Sequence, residues 1–345
     1  MNLLILPASG QNLCAQIAAI QHLCEVGYKP DLMLGCSGGN LAAYIAAAAD
    51  FSRTHVTRIS RELKSEYFVL PWHSIGIIGS IVGFFNGNAF SVGEGGETFL
   101  KTYFDEKTIT KYQIITGAYN KDLQKFRLFF NGSKEESIID CDDMDYDITQ
   151  SLPPSYACGD MEKISTASAA SASIPGLVSP KMIDGHAYTD GASCGASPCT
   201  LLQGQLLKYI QSDPEYFHIN YLNSKDLSKP NILPSHNLFD TWKQAVNDLI
   251  KSQTLIDRLV AYELLVSKGL PIQKSSFLCN YENMLKVKEK RTTIKYSLLE
   301  IYPKESHEIN ITNFTSDDIV NALDKLYDQC HCHFWWIEND SINKH

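Results

Sequence analysis

The sequence predicts an α/β protein, a three-layer α/β/α sandwich with a mainly parallel central sheet. Two observations carry this. The chain opens strand–helix–strand–helix, the order in which a parallel sheet is covered by its own crossover helices. Later, β-branched and aromatic runs at Gln113–Tyr119 and Phe126–Phe130 add strands. A helix of small residues from Ile164 to Ser173 follows them, suited to close packing on a sheet.

Leu3–Leu6 reads as a buried strand and residues 7–12 as a short polar turn. Leu13 to Val26 carries Leu13, Ile17, Ile20, Leu23 and Cys24 at helical spacing, and Gly27 ends it. Asp31–Leu34 is the next strand and Leu41–Ala49 the next helix. Residues 67–96 are apolar and glycine-rich but too short to span a bilayer. They read either as a helix buried under the sheet or as a lip that meets acyl chains or a membrane face. The acidic run from Asp140 to Asp147 lacks the glycine and terminal glutamate of a calcium loop and reads as solvated. Ile174-Pro175-Gly176 stops the small-residue helix. Asp184-Gly185 is a hairpin turn between two short strands, and Asp190-Gly191 opens a loop after the returning strand. Beyond residue 200 the chain reads as mostly helical: Thr241–Ser267 is one long amphipathic helix or two, and Ser316–Gln329 is a helix capped by Ser316. Thr292–Tyr302 is a late strand. With no repeat and no low-complexity linker, residues 1–345 read as a single domain, with its motifs in 3–200 and a mostly helical portion over 201–345.

Composition narrows the function. A net charge of −9 argues against nucleic acid and against docking on anionic lipid by charge. The ten cysteines form no even framework and read as reduced thiols, and Met1–Leu6 lacks the basic start of a signal peptide, so a cytoplasmic setting is expected. Peripheral membrane contact would run through 67–96. Cys330-His331-Cys332-His333 has one-residue spacing, too tight for a zinc finger, and no metal or organic cofactor is expected.

The chemistry concentrates at Gly35-Cys36-Ser37-Gly38-Gly39, between a strand and a helix. Such a turn pushes a serine hydroxyl out at the end of a sheet, and small residues at Gly35 and Gly39 let neighbouring backbone approach. Cys36 reads as a small buried side chain. A serine is a poor nucleophile until a base within reach takes its proton, and a carboxylate does so when burial raises its basicity. Asp190, at a strand end on a glycine turn, is placed to reach a neighbouring strand's serine. A Ser-Asp-His hydrolase would draw its histidine from His218, His236 or His307, but its serine would follow several strands, whereas Ser37 follows only the second.

Three blocks together resemble the patatin-like phospholipases: the glycine-containing turn after the first strand, Gly35-Cys36-Ser37-Gly38-Gly39, and Ser168–Gly176 followed by Tyr188-Thr189-Asp190-Gly191-Ala192. The aspartate lies 153 residues after the serine, an order and spacing that fit the family. The resemblance covers 3–50 and 110–200 and extends more thinly over 290–330. It implies a lipid acyl hydrolase of phospholipase A or lysophospholipase type, acting on phospholipid or another acyl ester, with Ser37 as nucleophile, Asp190 as base and no catalytic histidine. It also implies an oxyanion hole from Ser9, Gly10 and Gly38, with Gly35, Gly39, Gly191 and Asn12 in support. The family's oxyanion turn is a run of glycines, an arginine and another glycine. Here it reads Ala8-Ser9-Gly10-Gln11-Asn12, with Asn12 in the arginine's place. That departure motivates one alternative, a silent lipid- or partner-binding protein on the same fold; an acyltransferase using the same dyad is another.

Overall fold

In the computed structural model the described residues are 1–68, 94–103, 111–131, 161–195, 197–225, 238–269, 271–305, 307 and 314–338. Most of the 67–96 segment, the acidic run at 140–147 and His236 lie outside them. The strands are β1 (Asn2–Leu6), β2 (Leu32–Cys36), β3 (Gln113–Asn120), β4 (Lys125–Phe130), β5 (Lys181–Ile183), β6 (His186–Asp190), β7 (Phe217–Leu222), β8 (Ile272–Leu278), β9 (Tyr296–Pro303) and β10 (Cys330–Ile337). They form one sheet in the order β5-β6-β3-β2-β1-β7-β9-β10-β8, with β4 also on β3. Its centre, β3-β2-β1-β7-β9, is parallel, and antiparallel strands flank it on both sides.

Alternation along each central strand makes the three layers. Leu4, Leu6, Met33 and Ile114 face one side, under α1 (Leu13–Glu25), α2 (Gly38–Ala48), α3 (Arg53–Arg61) and two later helices, α10 (Tyr281–Arg291) and α11 (Ser316–Gln329). Leu3, Ile5, Leu32, Leu34 and Ile115 face the other, under α7 (Pro198–Leu201), α8 (Gln203–Gln211) and α9 (Leu238–Val266). Three further helices complete the described set: α4 (Ser65–Phe68), α5 (Glu94–Tyr103) and α6 (Met161–Ser171). The predicted hairpin is present, with Asp184 at φ 51° and Gly185 at φ 80°, the paired left-handed residues of a tight turn.

One expectation is corrected, the cap of a late helix, and three strands unread in the sequence appear. The portion after residue 200 is more helix than strand among its described residues, and it also supplies β7, β8 and β10, strands not expected from the sequence, beside the expected β9. β7 is wholly buried yet carries His218 and Asn220, which broke its apolar pattern; both are held by hydrogen bonds, His218 to Ser297 and Asn220 to Arg291. The Cys-His cluster is β10 itself. The pleat turns Cys330 and Cys332 into the core and leaves His331 and His333 partly exposed, so cysteines and histidines lie on opposite faces. No group of residues suited to a metal ion occurs among the described residues. The cap of α11 is Thr315, not Ser316: Thr315 Oγ1 accepts from Asp318 N at 3.3 Å while Thr315 N donates to Asp318 Oδ2 at 2.8 Å. Thr241 to Val266 belong to one continuous helix, which ends one residue short of the expected Ser267. Among the described residues no helix is long and apolar enough to cross a membrane.

The reciprocal cap predicts that Thr315→Ala destabilises the fold by about 1 kcal/mol, read as a lowered urea midpoint at unchanged slope. An unchanged midpoint would mean that α11 is held by packing alone.

Candidate active site

Strand register brings the two predicted residues together. β2 pairs with β3 up to Cys36 opposite Gly117, and β6 pairs antiparallel with β3 from Tyr188 opposite Asn120 to Asp190 opposite Ala118. β4 pairs with β3 across both of these stretches, so it occupies the other edge. β2 and β6 therefore share one edge of β3 and meet head to head, with Ser37 and Asp190 at the junction.

Ser37 follows β2 directly at φ 53° and ψ −130°, a conformation that L residues adopt only when their surroundings impose it. Glycines impose it here. A Cβ on Gly35 would lie 2.6 Å from Asn40 Cα, and one on Gly39 would lie 2.2 Å and 2.3 Å from the carbonyl oxygens of Leu6 and Pro7. A buried polar frame backs the turn. Ser37 N donates to Ser171 Oγ at 3.0 Å, and that hydroxyl donates to Gly117 O at 2.7 Å. Asn40 donates to Ser168 Oγ at 2.6 Å and accepts from Thr116 Oγ1 at 2.5 Å. The frame was not read from the sequence. The serines on α6 looked like small spacers, and their period gave no sign that their hydroxyls tie α6 to the serine turn.

Asp190 is anchored through its backbone, with its N–H on Ser173 O at 2.9 Å. The side chain is fully buried. Oδ1 accepts from Ser193 N at 3.2 Å, and Oδ2 has no hydrogen-bond partner among the described residues. Burial pushes the carboxyl up to about 6, against the opposing pull of the Ser37 hydroxyl and the N–H groups of Ser193 and Ala192. The serine thus acts electrostatically on the carboxylate without a hydrogen bond of full geometry to Oδ2, which is the oxygen free to take a proton. Gly191 sits at φ −68°, ordinary backbone, so the turn does not demand glycine for its conformation.

The altered turn after β1 keeps its donors. Gly10, at φ 51°, is its left-handed residue, and Ser9 sits at φ −115°, so Ala8 and Ser9 fit without strain where the family has glycine. A Cβ on Gly38 would lie 2.2 Å from Ser9 Oγ and 3.4 Å from Gly10 N, which places the two turns in contact. Among the described residues the N–H groups of Gly10 and Gly38 make no hydrogen bond, and the buried Ser9 Oγ and Asn12 Oδ1 have no partner. Ser37, Gly10 and Gly38 line a narrow cleft of about 70 Å³, walled by Leu13, Leu41, Leu63, Ile174, Leu177 and Val178.

Other titratable groups take bland roles. Cys36 is buried, and burial together with the charges of Asp190 and Asp257 pushes its thiol well up, so it stays protonated. Asp257 on α9, also missed in the sequence, is pushed up to about 6 by burial and held by Ser197, Thr200 and Gln253. His218 pairs with Asn2 at the opposite end of the strands, bonded to Ser297. His307 makes no hydrogen bond to Ser37 or Asp190 among the described residues.

The family model described as Patatin-like phospholipase matches residues 9–202, and the chain belongs to that family, whose members are lipid acyl hydrolases. Comparison with curated proteins finds no match.

Two predictions follow from this geometry. Gly39→Ala forces a Cβ onto two backbone oxygens and should destabilise the fold by about 3 kcal/mol or more, measured by urea unfolding. A loss below about 1 kcal/mol would mean that β1 and α2 can separate. Asp190 carries a folded-state pKa above its ordinary value of 3.8. Its protonated form therefore favours the folded state, fully below about 3.8 and progressively less as pH rises through about 6. Asp190→Asn should accordingly raise stability at pH 8 by about 1–3 kcal/mol and leave it nearly unchanged at pH 4. Equal stabilities at both pH values would contradict the burial of an unpaired charge.

Proposed function

We propose that this chain is a lipid acyl hydrolase of phospholipase A or lysophospholipase type, with Ser37 as nucleophile and Asp190 as general base. The observation that carries the reading is the head-to-head placement of Ser37 and Asp190 on one edge of β3, beside two unengaged backbone donors.

The ester end of the lipid enters the narrow apolar cleft, which brings its carbonyl to Ser37. Asp190 Oδ2 takes the hydroxyl proton as Ser37 Oγ attacks the carbonyl carbon. The negative charge on the former carbonyl oxygen is stabilised by the N–H groups of Gly10 and Gly38, at the N-terminus of α2. Collapse breaks the ester C–O bond, and the departing alcohol takes the proton from Asp190. Water then attacks the acyl-Ser37 ester, again losing its proton to Asp190. Ser37 regains a proton as the fatty acid leaves. One carboxylate performs each transfer because burial has raised its basicity. The intact donor pair favours turnover over a silent binder.

Fluorophosphonate labelling and hydrolysis of a short-chain ester test the reading. Wild type should label and turn over, and Ser37→Ala and Asp190→Asn should each lower kcat/KM by about 1,000-fold or more. The base works only when ionised, so kcat/KM should fall about tenfold per pH unit below its pKa of about 6. An absence of labelling in folded wild type, or a profile flat down to pH 4, would sink the dyad.

A further inference from the structure

A second cavity, of about 830 Å³, opens at the other end of the strands, where β1, β7 and β9 begin. It is a different place from the cleft. α1 starts at the turn beside Ser37 and ends at this cavity with Leu23 and Val26, a run of 13 residues or roughly 20 Å. Its size is that of a small-molecule site.

Four cations line it: Lys29, Lys288, Arg291 and Lys295. Two are matched to acids outside the lining, Lys29 to Asp50 at 3.5 Å and Lys295 to Asp213 at 2.7 Å. Lys288 and Arg291 are not paired with a carboxylate among the described residues. Lys288 Nζ donates once, to Val26 O at 2.7 Å, which uses one of three N–H groups. Arg291 donates from Nε to Ser297 Oγ at 2.9 Å, from Nη1 to Asn220 Oδ1 at 3.0 Å and from Nη2 to Ile219 O at 3.0 Å. All three partners are neutral, and two of its five N–H groups remain. Desolvation pushes the guanidinium down to about 10, the mark of a cation withdrawn from water without an anion to balance it. Among the described residues the one acid of the lining is Glu215, and no ion pair or hydrogen bond joins it to Lys288 or Arg291.

Holding two helix ends explains part of this arrangement, since both cations lie in the last turn of α10, where the helix dipole favours them. It does not explain why a guanidinium fixed in position by three neutral acceptors borders a cavity of this size. A fixed guanidinium beside a free ammonium is a receptor for a phosphate or carboxylate head. Leu23, Val26, Val287 and Ile294 add an apolar wall against which the rest of a ligand would lie.

We propose that this cavity binds a small organic anion, a phosphate monoester or a carboxylate on a partly apolar body, through Arg291 and Lys288. The site stands apart from the Ser37–Asp190 reading and does not depend on it.

Calorimetric titration at fixed ionic strength tests it, with phenyl phosphate, benzoate and the uncharged benzyl alcohol as probes. At least one of the two anions should bind saturably to wild type, and whichever binds tighter identifies the preferred head. That affinity should fall at least tenfold in Lys288→Glu and in Arg291→Gln, and benzyl alcohol should bind at least tenfold more weakly than the anion. Lys288 is exposed, so Lys288→Glu remains decisive even where Arg291→Gln disturbs the fold. Failure of both anions to saturate, undiminished binding in Lys288→Glu, or equal binding of benzyl alcohol would each overturn the proposal.

Discussion

The candidate site depends on one edge of β3 taking two strands end to end. β2 runs along the first half of that edge in parallel, and β6 arrives antiparallel along the second half, so the two strand ends point at each other across adjacent rungs. Backbone hydrogen bonding alone thus sets how near a side chain at residue 37 lies to one at residue 190. The side chains inherit a placement that neither helix packing nor a flexible loop would hold so closely.

Maintaining that junction requires close approach and buried polarity together. Gly35 and Gly39 let the backbone of β1 and of α2 press on the turn, and the strained φ of Ser37 is the result. The hydroxyls and amide of Ser168, Ser171, Thr116 and Asn40 then satisfy groups that such tight packing would otherwise strand away from water. Asp190 is left differently. It is buried, and among the described residues one of its oxygens has no hydrogen-bond partner, which is unfavourable for stability and useful for a base. The polar frame is satisfied where it supports and unsatisfied where chemistry would occur.

Much of this was legible in the sequence, and the misses have definite causes. The order of the first four elements, the hairpin at Asp184-Gly185 and the roles of Gly35 and Gly39 follow from local rules, because each is a matter of periodicity or of space around one residue. β7 was hidden because a fully buried strand lacks alternation, and its polar His218 and Asn220 find partners only on β9 and α10, which are distant in sequence. β8 lies at the sheet edge, half exposed and polar, and looks like a loop. β10 drew notice for its cysteines and histidines, while the period of two that sorts them onto opposite faces is itself the strand signal. At the site, the serine, the aspartate and Gly10 were visible as motif letters. The serine frame on α6 and the buried Asp257 were not, because a hydroxyl's partner is a property of the folded chain.

The position of β7 also bears on how the chain comes into being on the ribosome. β1 sits between β2 and β7, so one of its two edges is paired by residue 36 and the other waits for residues 217–222. At ordinary synthesis speeds that interval is roughly 10–40 s, during which an apolar strand presents a bare edge to its surroundings. The nascent chain spends that time as half a sheet, open along the line where its two halves will later join. Its passage to the folded state therefore favours shielding by chaperones, and translation pauses within this interval lengthen its exposure.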